Sequence, residues 1–232
     1  MKQLNLEKTH QNLNDDMLVE LSKTELFQGL DVSAVEDMLV SMSLPLKVFE
    51  RQEIILHQGD YSPGIGLILS GSCVIEQVDV WGNRQLINTF DKGKLFSEVF
   101  AIIGDQPLKV SVVAGAQGCR CIFLPVEELL ANADLPSRTI VLSNLMRLLS
   151  RRNLMLTQKI ELLSERTTKR KLLRYFSMLS EASQSTEITL PFSRQELADY
   201  LCVDRSAMTK ELFALHHDGQ IHISGRKVKL NV

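Results

Sequence analysis

Between Ser193 and Lys210 the sequence gathers groups that donate and accept hydrogen bonds, at spacings that suit a pair of short helices. Ser193-Arg194-Gln195-Glu196 has the S-x-x-E form of a capping box, in which the Ser193 hydroxyl and the Glu196 carboxylate each satisfy an orphan backbone amide. A helix is expected to begin there, run through Leu197, Ala198 and Leu201, break at Cys202-Val203 and restart with Asp204 as the next N-cap. Beyond Asp204, Met208, Leu212 and Leu215 fall at i, i+4 and i+7, a stripe that must be buried. The opposite face presents Arg205, Ser206, Thr209 and Lys210 near the helix N-terminus. The planar fork of an arginine matches guanine O6 and N7, and the recognition helix of a helix-turn-helix meets base edges with its N-terminal residues. Ala198 suits the close crossing of the two helices, and Gly219 after His217-Asp218 suits a left-handed helix end.

From Ile221 to Leu230 apolar and polar residues alternate around Ser224-Gly225, as in a hairpin with one buried face. This is a wing, and Arg226 and Lys227 at its tip are placed either to reach phosphates or to be solvated. Residues 165–232 hold 11 Lys and Arg against 8 Asp and Glu in a chain whose net charge is −2, so the basic part is the C-terminal third.

Other chemistries find less support. Five histidines are scattered, with His57 alone in the glycine-rich middle, so a metal enzyme of cupin type cannot assemble its ligands there. Neither a nucleophile–base pair nor a phosphate loop stands out, and no enzyme activity is expected. Cys119 and Cys121, separated by Arg120, share one side of a strand and could hold a metal or sense oxidants, although buried strand cysteines are commoner. Four cysteines, none before Cys73, make no disulfide framework. No apolar run approaches the roughly 20 residues that span a bilayer, and the polar N-terminus lacks the apolar core of a secretory signal, so a cytoplasmic chain is expected.

The elements that carry these groups fall into three textures. Met17–Leu26 and Val32–Met42 read as short flanking helices, the second capped by Asp31 or Ser33. From Leu44 to Phe123 short β-type runs alternate with glycines: Glu53–Leu56, Gly66–Leu69, Cys73–Val80, Arg84–Phe90, Lys109–Ala114 and Cys119–Leu124, with a hairpin turn at Val80–Arg84. After Pro136 comes a long helix to Ser164, in which Leu142, Leu149, Leu156 and Leu163 recur every seven residues and Met146, Asn153 and Ile160 fill the alternate seam. A seam asparagine favours a parallel, in-register pair, so a homodimer is expected, while Leu145, Leu148, Met155 and Leu162 form a second stripe for the chain's own core. The fold class is α+β: an N-terminal antiparallel β-roll with flanking helices (1–136), a dimerisation helix (137–164) and a C-terminal winged helix-turn-helix (165–232).

This layout resembles the CRP/FNR superfamily of transcription regulators over nearly the whole chain. His57-Gln58-Gly59-Asp60, Leu69-Ser70-Gly71-Ser72, Trp81-Gly82-Asn83-Arg84 and Phe96-Ser97-Glu98 look like the turns of that family's cyclic-nucleotide-binding-like roll. Arg194 to Leu201 and Val203 to Met208 look like its helix-turn-helix, with Cys202 where the turn often has glycine. The resemblance implies that Arg205 reads a guanine and that Ser193 and Arg194 begin the phosphate contacts; the residues' own placement adds Gln195, Ser206, Thr209, Lys210, Arg226 and Lys227 as candidates for the surface toward double-stranded DNA.

It also implies an effector pocket at Phe96, Ser97, Glu98, Val99, Lys109 and Val110, joined by Arg152, Leu156 and Thr157 of the long helix. Cyclic-AMP members carry Gly-Glu and an Arg-Ser or Arg-Thr pair in these turns, where this chain has Ser97-Glu98 and Lys109-Val110, and Leu156 replaces their helix threonine. Lysine cannot reproduce the bidentate arginine clamp, which argues against cyclic AMP and for another small molecule. The iron–sulfur type needs an N-terminal cysteine cluster that this chain lacks. Allosteric control by an unidentified effector is the expected mode, with thiol or metal sensing through Cys119 and Cys121, or effector-independent repression, as the alternatives. RNA polymerase is the family's usual partner in activation.

Overall fold

The structure, a computed structural model, describes residues 15–78, 81, 84–131 and 135–231. The chain divides into two compact units, Met1–Leu149 and Ser150–Val232.

In the first unit, α1 (Asp15–Ser22) and α2 (Val32–Ser41) precede the strands. Asp31 caps α2, its carboxylate accepting from the Ala34 amide at 2.8 Å. The expected first helix ends at Ser22 rather than Leu26, because residues 23–30 form turns such as Thr24 N to Leu21 O and Leu30 N to Phe27 O. The strands β1 (Lys47–Phe49), β2 (Ile54–Leu56), β3 (Ile65–Val78), β4 (Arg84–Asp91), β5 (Leu95–Phe96) and β6 (Ser111–Leu124) build one antiparallel sheet in the order β1-β6-β3-β4, with β2 on β6 and β5 on β3. Short helices α3 (Glu98–Ile103) and α4 (Val126–Ala131) flank β6. The hairpin joining β3 to β4 is present, with Val78 opposite Arg84, while Val80, Gly82 and Asn83 of its expected turn lie outside the described residues.

The segmentation of the strands differs from expectation. Gly66–Leu69 and Cys73–Val78 belong to one strand, and Ser111–Ala114 and Cys119–Leu124 to another, so glycines expected to end strands bend them instead. Gly71 and Gly118 both have φ near 74°, and their neighbours leave no room for a side chain. A Cβ on Gly71 would stand 2.2 Å from the Gly118 carbonyl oxygen, and one on Gly118 2.7 Å from that of Phe49. The pairing of β3 with β6 shifts register there, between Ile68 and Ser70 and again between Gly71 and Cys73. Successive strand residues point to opposite sides, so the bent sheet has an apolar cluster on each face, one joining Phe27, Leu39, Leu67, Leu69 and Leu124 to Val141 and Leu145, the other holding Ile68, Cys73, Phe96, Val112 and Cys121.

The helix α5 (Pro136–Ser164) is continuous across the boundary of the two units. Leu142, Leu148 and Leu149 pack partly on the first core, and Asn144 donates to the carbonyls of Leu26 and Gln28 at 3.0 and 2.8 Å. Of the expected second stripe, Leu145 and Leu162 are buried but Met155 is 68% exposed, since it meets neither core. Along the seam Met146, Leu156 and Ile160 are 63–65% exposed, Asn153 is exposed, and Leu163 is half-buried.

The second unit continues with α6 (Thr168–Ser183), capped by the Thr167 hydroxyl on the Arg170 amide, then β7 (Glu187–Thr189), α7 (Arg194–Leu201), α8 (Arg205–His217), β8 (Ile221–Ser224) and β9 (Lys227–Leu230). The three strands form a sheet in the order β7-β9-β8. Leu162, Leu172, Phe176, Leu197, Leu201, Met208, Leu215 and Val228 fill its core.

Candidate nucleic-acid interface

The geometry of α7 and α8 follows from local chemistry that the sequence states outright. The capping box is complete: the Glu196 amide donates to the Ser193 hydroxyl at 3.3 Å, and the Ser193 amide to the Glu196 carboxylate at 2.7 Å. That amide holds the Glu196 carboxyl below its usual range. Cys202 then turns the chain at φ 51°, ψ 53°, a left-handed conformation that costs an L-residue roughly 1 kcal/mol or more. Asp204 caps α8, its carboxylate accepting from the Ala207 amide at 2.8 Å. A cap of this kind stabilises a helix by about 1 kcal/mol.

One face of α8 is sealed, with Met208, Leu212 and Leu215 at most 2% exposed and Ala198 of α7 wholly buried beside them. Arg205, Ser206 and Lys210 are exposed, while Thr209 is half-buried and its hydroxyl donates back to the Arg205 carbonyl at 2.8 Å. Phe213, two turns after Ser206, is 64% exposed on the same helix. It is absent from the residues expected from sequence, although an aromatic outside the buried i, i+4, i+7 stripe is itself a signal. Gln195 is exposed and donates to Asp199 at 2.9 Å. The helix closes as expected, with Gly219 at φ 70° and the Gln220 amide on the Leu215 carbonyl at 3.0 Å.

The wing is a two-strand hairpin, Ile221 opposite Leu230 and Ser224 opposite Lys227, with Gly225 at φ 60° and Arg226 and Lys227 exposed. Arg194 ties it to the helix pair. Its Nη2 donates to the Gly225 carbonyl at 3.3 Å, while its Nη1 is buried with no partner among the described residues, and burial lowers its pKa. Ser193, Arg194, Gln195, Arg205, Ser206, Thr209, Lys210, Arg226 and Lys227 thus all lie in one compact unit, carried by α7, α8 and the wing.

In the first unit the expected effector residues have unlike surroundings. Phe96 is core: 1% exposed, its ring edge-on to Phe123 with centroids 5.6 Å apart and pressed on Gly66. Ser97 sits at φ 61°, which explains why a glycine serves well at such a turn, and its hydroxyl meets that of Ser62 at 2.6 Å. Glu98 is buried, Val99 is half exposed, Lys109 is exposed and Val110 is half-buried. Arg152, Leu156 and Thr157 belong to the other unit, where Leu156 is exposed.

Cys119 and Cys121 do share a side of β6, and both are buried with Cys73. The hydrogen bond with Cys119 and burial hold the Cys121 thiol well above its usual range, and burial pushes Cys73 up to about 12. The same hydrogen bond pulls the Cys119 thiol below its usual range, so it is burial that keeps Cys119 from reagents. Among the described residues no group of three His, Cys, Asp or Glu is placed to hold a metal ion. Nor is any described helix long and apolar enough to cross a membrane.

Comparison with known proteins matches both units. Residues 46–133 fit the family model of the cyclic nucleotide-binding domain, and residues 170–231 that of the Crp-like helix-turn-helix domain. The chain is 22% identical over 190 residues, 77% of its length and 73% of the relative's, to the transcriptional activator protein FnrL of Cereibacter sphaeroides. Its fold is similar to that of the catabolite activator protein of Thermus thermophilus, with a TM-score of 0.54 and 22% identity over 90% of this chain and 94% of that one. It is similar also to CprK complexed with OCPA, with a TM-score of 0.56 and 12% identity over 84% and 88% of the two chains. With a bent antiparallel sheet, a long helix and a winged helix-turn-helix in that order, the chain belongs to the CRP/FNR superfamily of DNA-binding transcription regulators.

Proposed function

We propose that two copies of this cytoplasmic chain pair through α5 and read a near-palindromic duplex, each inserting α8 into a major groove, with half-sites about 34–36 Å apart. The observation that carries this reading is the division of α8 into a sealed face and a free one, with Arg205 and Ser206 exposed in the first turn behind the Asp204 cap. In this reading Arg205 holds a guanine edge, Ser206, Thr209 and Lys210 flank it, and Phe213 offers an apolar contact to a thymine methyl group. Ser193, Gln195, Arg226 and Lys227 meet phosphates, and the half-buried Arg194, whose Nη2 keeps the wing in place, is read as a further phosphate contact. The exposed seam Met146, Asn153, Leu156 and Ile160 supports the pairing, because a lone helix gains nothing by leaving such a stripe in water.

The β unit is read as the sensor, its ligand a small molecule other than cyclic AMP held near Ser97, Glu98, Lys109 and Val110. Lys109 stands where an arginine fork would be needed, and the Ser97 hydroxyl is already engaged by Ser62. The buried thiols weigh against sensing through Cys119 and Cys121. Selection of binding sites from random duplex DNA, with and without a metabolite extract, tests the proposal. A two-fold symmetric site and a dimer mass by light scattering are expected; no enriched sequence under either condition would overturn it.

A further inference from the structure

Helix α5 does more in the second unit than carry the seam. Its last turns are built into the winged domain: Leu162 is wholly buried in that core, and Glu161 pairs with Arg174 of α6. Just before them, between the exposed Leu156 and Ile160, lies Lys159, whose ammonium donates to the Tyr200 carbonyl and stands 3.0 Å from the centroid of the Tyr200 ring. Lys171 of α6 donates to the next carbonyl, that of Leu201, at 3.1 Å. These are the last two residues of α7, directly before the left-handed turn at Cys202 and the Asp204 cap. Two cations thus close the negative end of α7 at the point where the chain turns into α8. Burial lowers the pKa of Lys159, as befits an ammonium drawn into the protein rather than one waving in solvent.

We infer that Lys159 is a positioning residue for the DNA-reading helix: by gripping the end of α7 from α5, it fixes the turn that aims α8, so that the helix stretch offered to a second copy and the turn of the reading motif move as one. The inference rests on the proposed DNA reading, but its structural half does not. Leu156 and Ile160 lie within one turn of Lys159, so ordering them against a second copy orders the grip as well. A joint that moves the winged domain then lies before Lys159 in α5, not only at the break between α5 and α6.

The test uses the full chain with Lys159→Met, which keeps the stem and removes the ammonium, and Lys159→Arg, which keeps a cation able to reach a carbonyl and stack on tyrosine. Amide hydrogen exchange at Val203 and Met208 is expected to quicken about tenfold in the Met variant and to recover in the Arg variant, as for loss of one charge-assisted hydrogen bond at a local opening. Affinity for a duplex enriched by selection is expected to fall about tenfold, with base preference, salt slope and dimer mass unchanged, because no phosphate contact is lost. Exchange and affinity equal to those of the unaltered chain would overturn the inference. So would a salt slope lower by one, which would make Lys159 a phosphate contact. Should Lys159→Met fail to fold, Lys171→Met removes the partner donor and must quicken the same amides. If the unaltered protein enriches no duplex, the DNA reading fails, and the exchange measurement alone then decides the grip.

Discussion

Cys202 holds the turn between the two helices at φ 51°, ψ 53°, and replacing it measures how much that conformation costs. Its side chain is exposed, so little burial changes with the substitution. An L-residue in the left-handed region costs about 1–2 kcal/mol, which glycine escapes. Against this, glycine adds freedom to the unfolded chain worth about 0.4–1 kcal/mol. Cys202→Gly is therefore expected to stabilise the second unit by about 0.5–1 kcal/mol. Cys202→Val, β-branched at positive φ, is expected to destabilise it by about 1 kcal/mol or more. The two variants should differ by roughly 2 kcal/mol, a factor of about 30 in an equilibrium constant. Native-state hydrogen exchange at Leu212 and Leu215, residues at most 2% exposed whose amides are expected to exchange through unfolding of the unit, reads this difference. The turn is also held by the Val203 amide on the Ala198 carbonyl at 3.0 Å, which neither variant removes. A glycine variant no more protected than the valine one would show that the left-handed turn is not where the cost resides.

Arg205→Ala should relax preference at one base pair per half-site, at about 1–3 kcal/mol, whereas Arg194→Ala should weaken all duplexes alike and lower the salt slope by about one; gel shifts over a substitution series at several salt concentrations separate the two. Thiol labelling of the native protein at pH 8 should modify Cys202 alone, because burial shuts the reagent out from Cys73, Cys119 and Cys121 until the chain is denatured, as peptide mapping would show. Glu196 has a carboxyl pKa depressed from 4.5, so its capping contribution is present above the ordinary carboxyl range and is lost as pH falls through the depressed value. Glu196→Gln should flatten that part of the acid limb, and urea midpoints at pH 7 and pH 3 would reveal a slope left intact if the reasoning is wrong.

The second unit was legible because its signals are local. A serine three residues before a glutamate, an aspartate before an apolar i, i+4, i+7 stripe and a glycine at a hairpin tip each dictate geometry within a few residues. The bent sheet was less so. A glycine that ends a strand and one that lets two strands cross closely look alike in sequence, and only the carbonyl 2.2 Å from a would-be Cβ tells them apart. Phe96 was read as pocket lining because its neighbours resemble a ligand turn, yet its own environment is Gly66 and Phe123. Val99, three residues on, faces outward, half exposed. The grip of Lys159 on Tyr200 joins residues 41 apart, and no spacing rule announces it. The inward ties of Arg194 and Thr209, to Gly225 and to the Arg205 carbonyl, were equally silent.

The close crossing at Gly71 and Gly118 bears on how a genetic screen of this protein would be interpreted. Any side chain there forces two backbones apart, so, on the proposed sensor reading, variants at either position would lose response as surely as variants that fail to bind the effector. Clusters of loss-of-response alleles in the sheet would then trace its shape rather than its ligand, and only alleles that alter which compound is effective would mark the sensing surface.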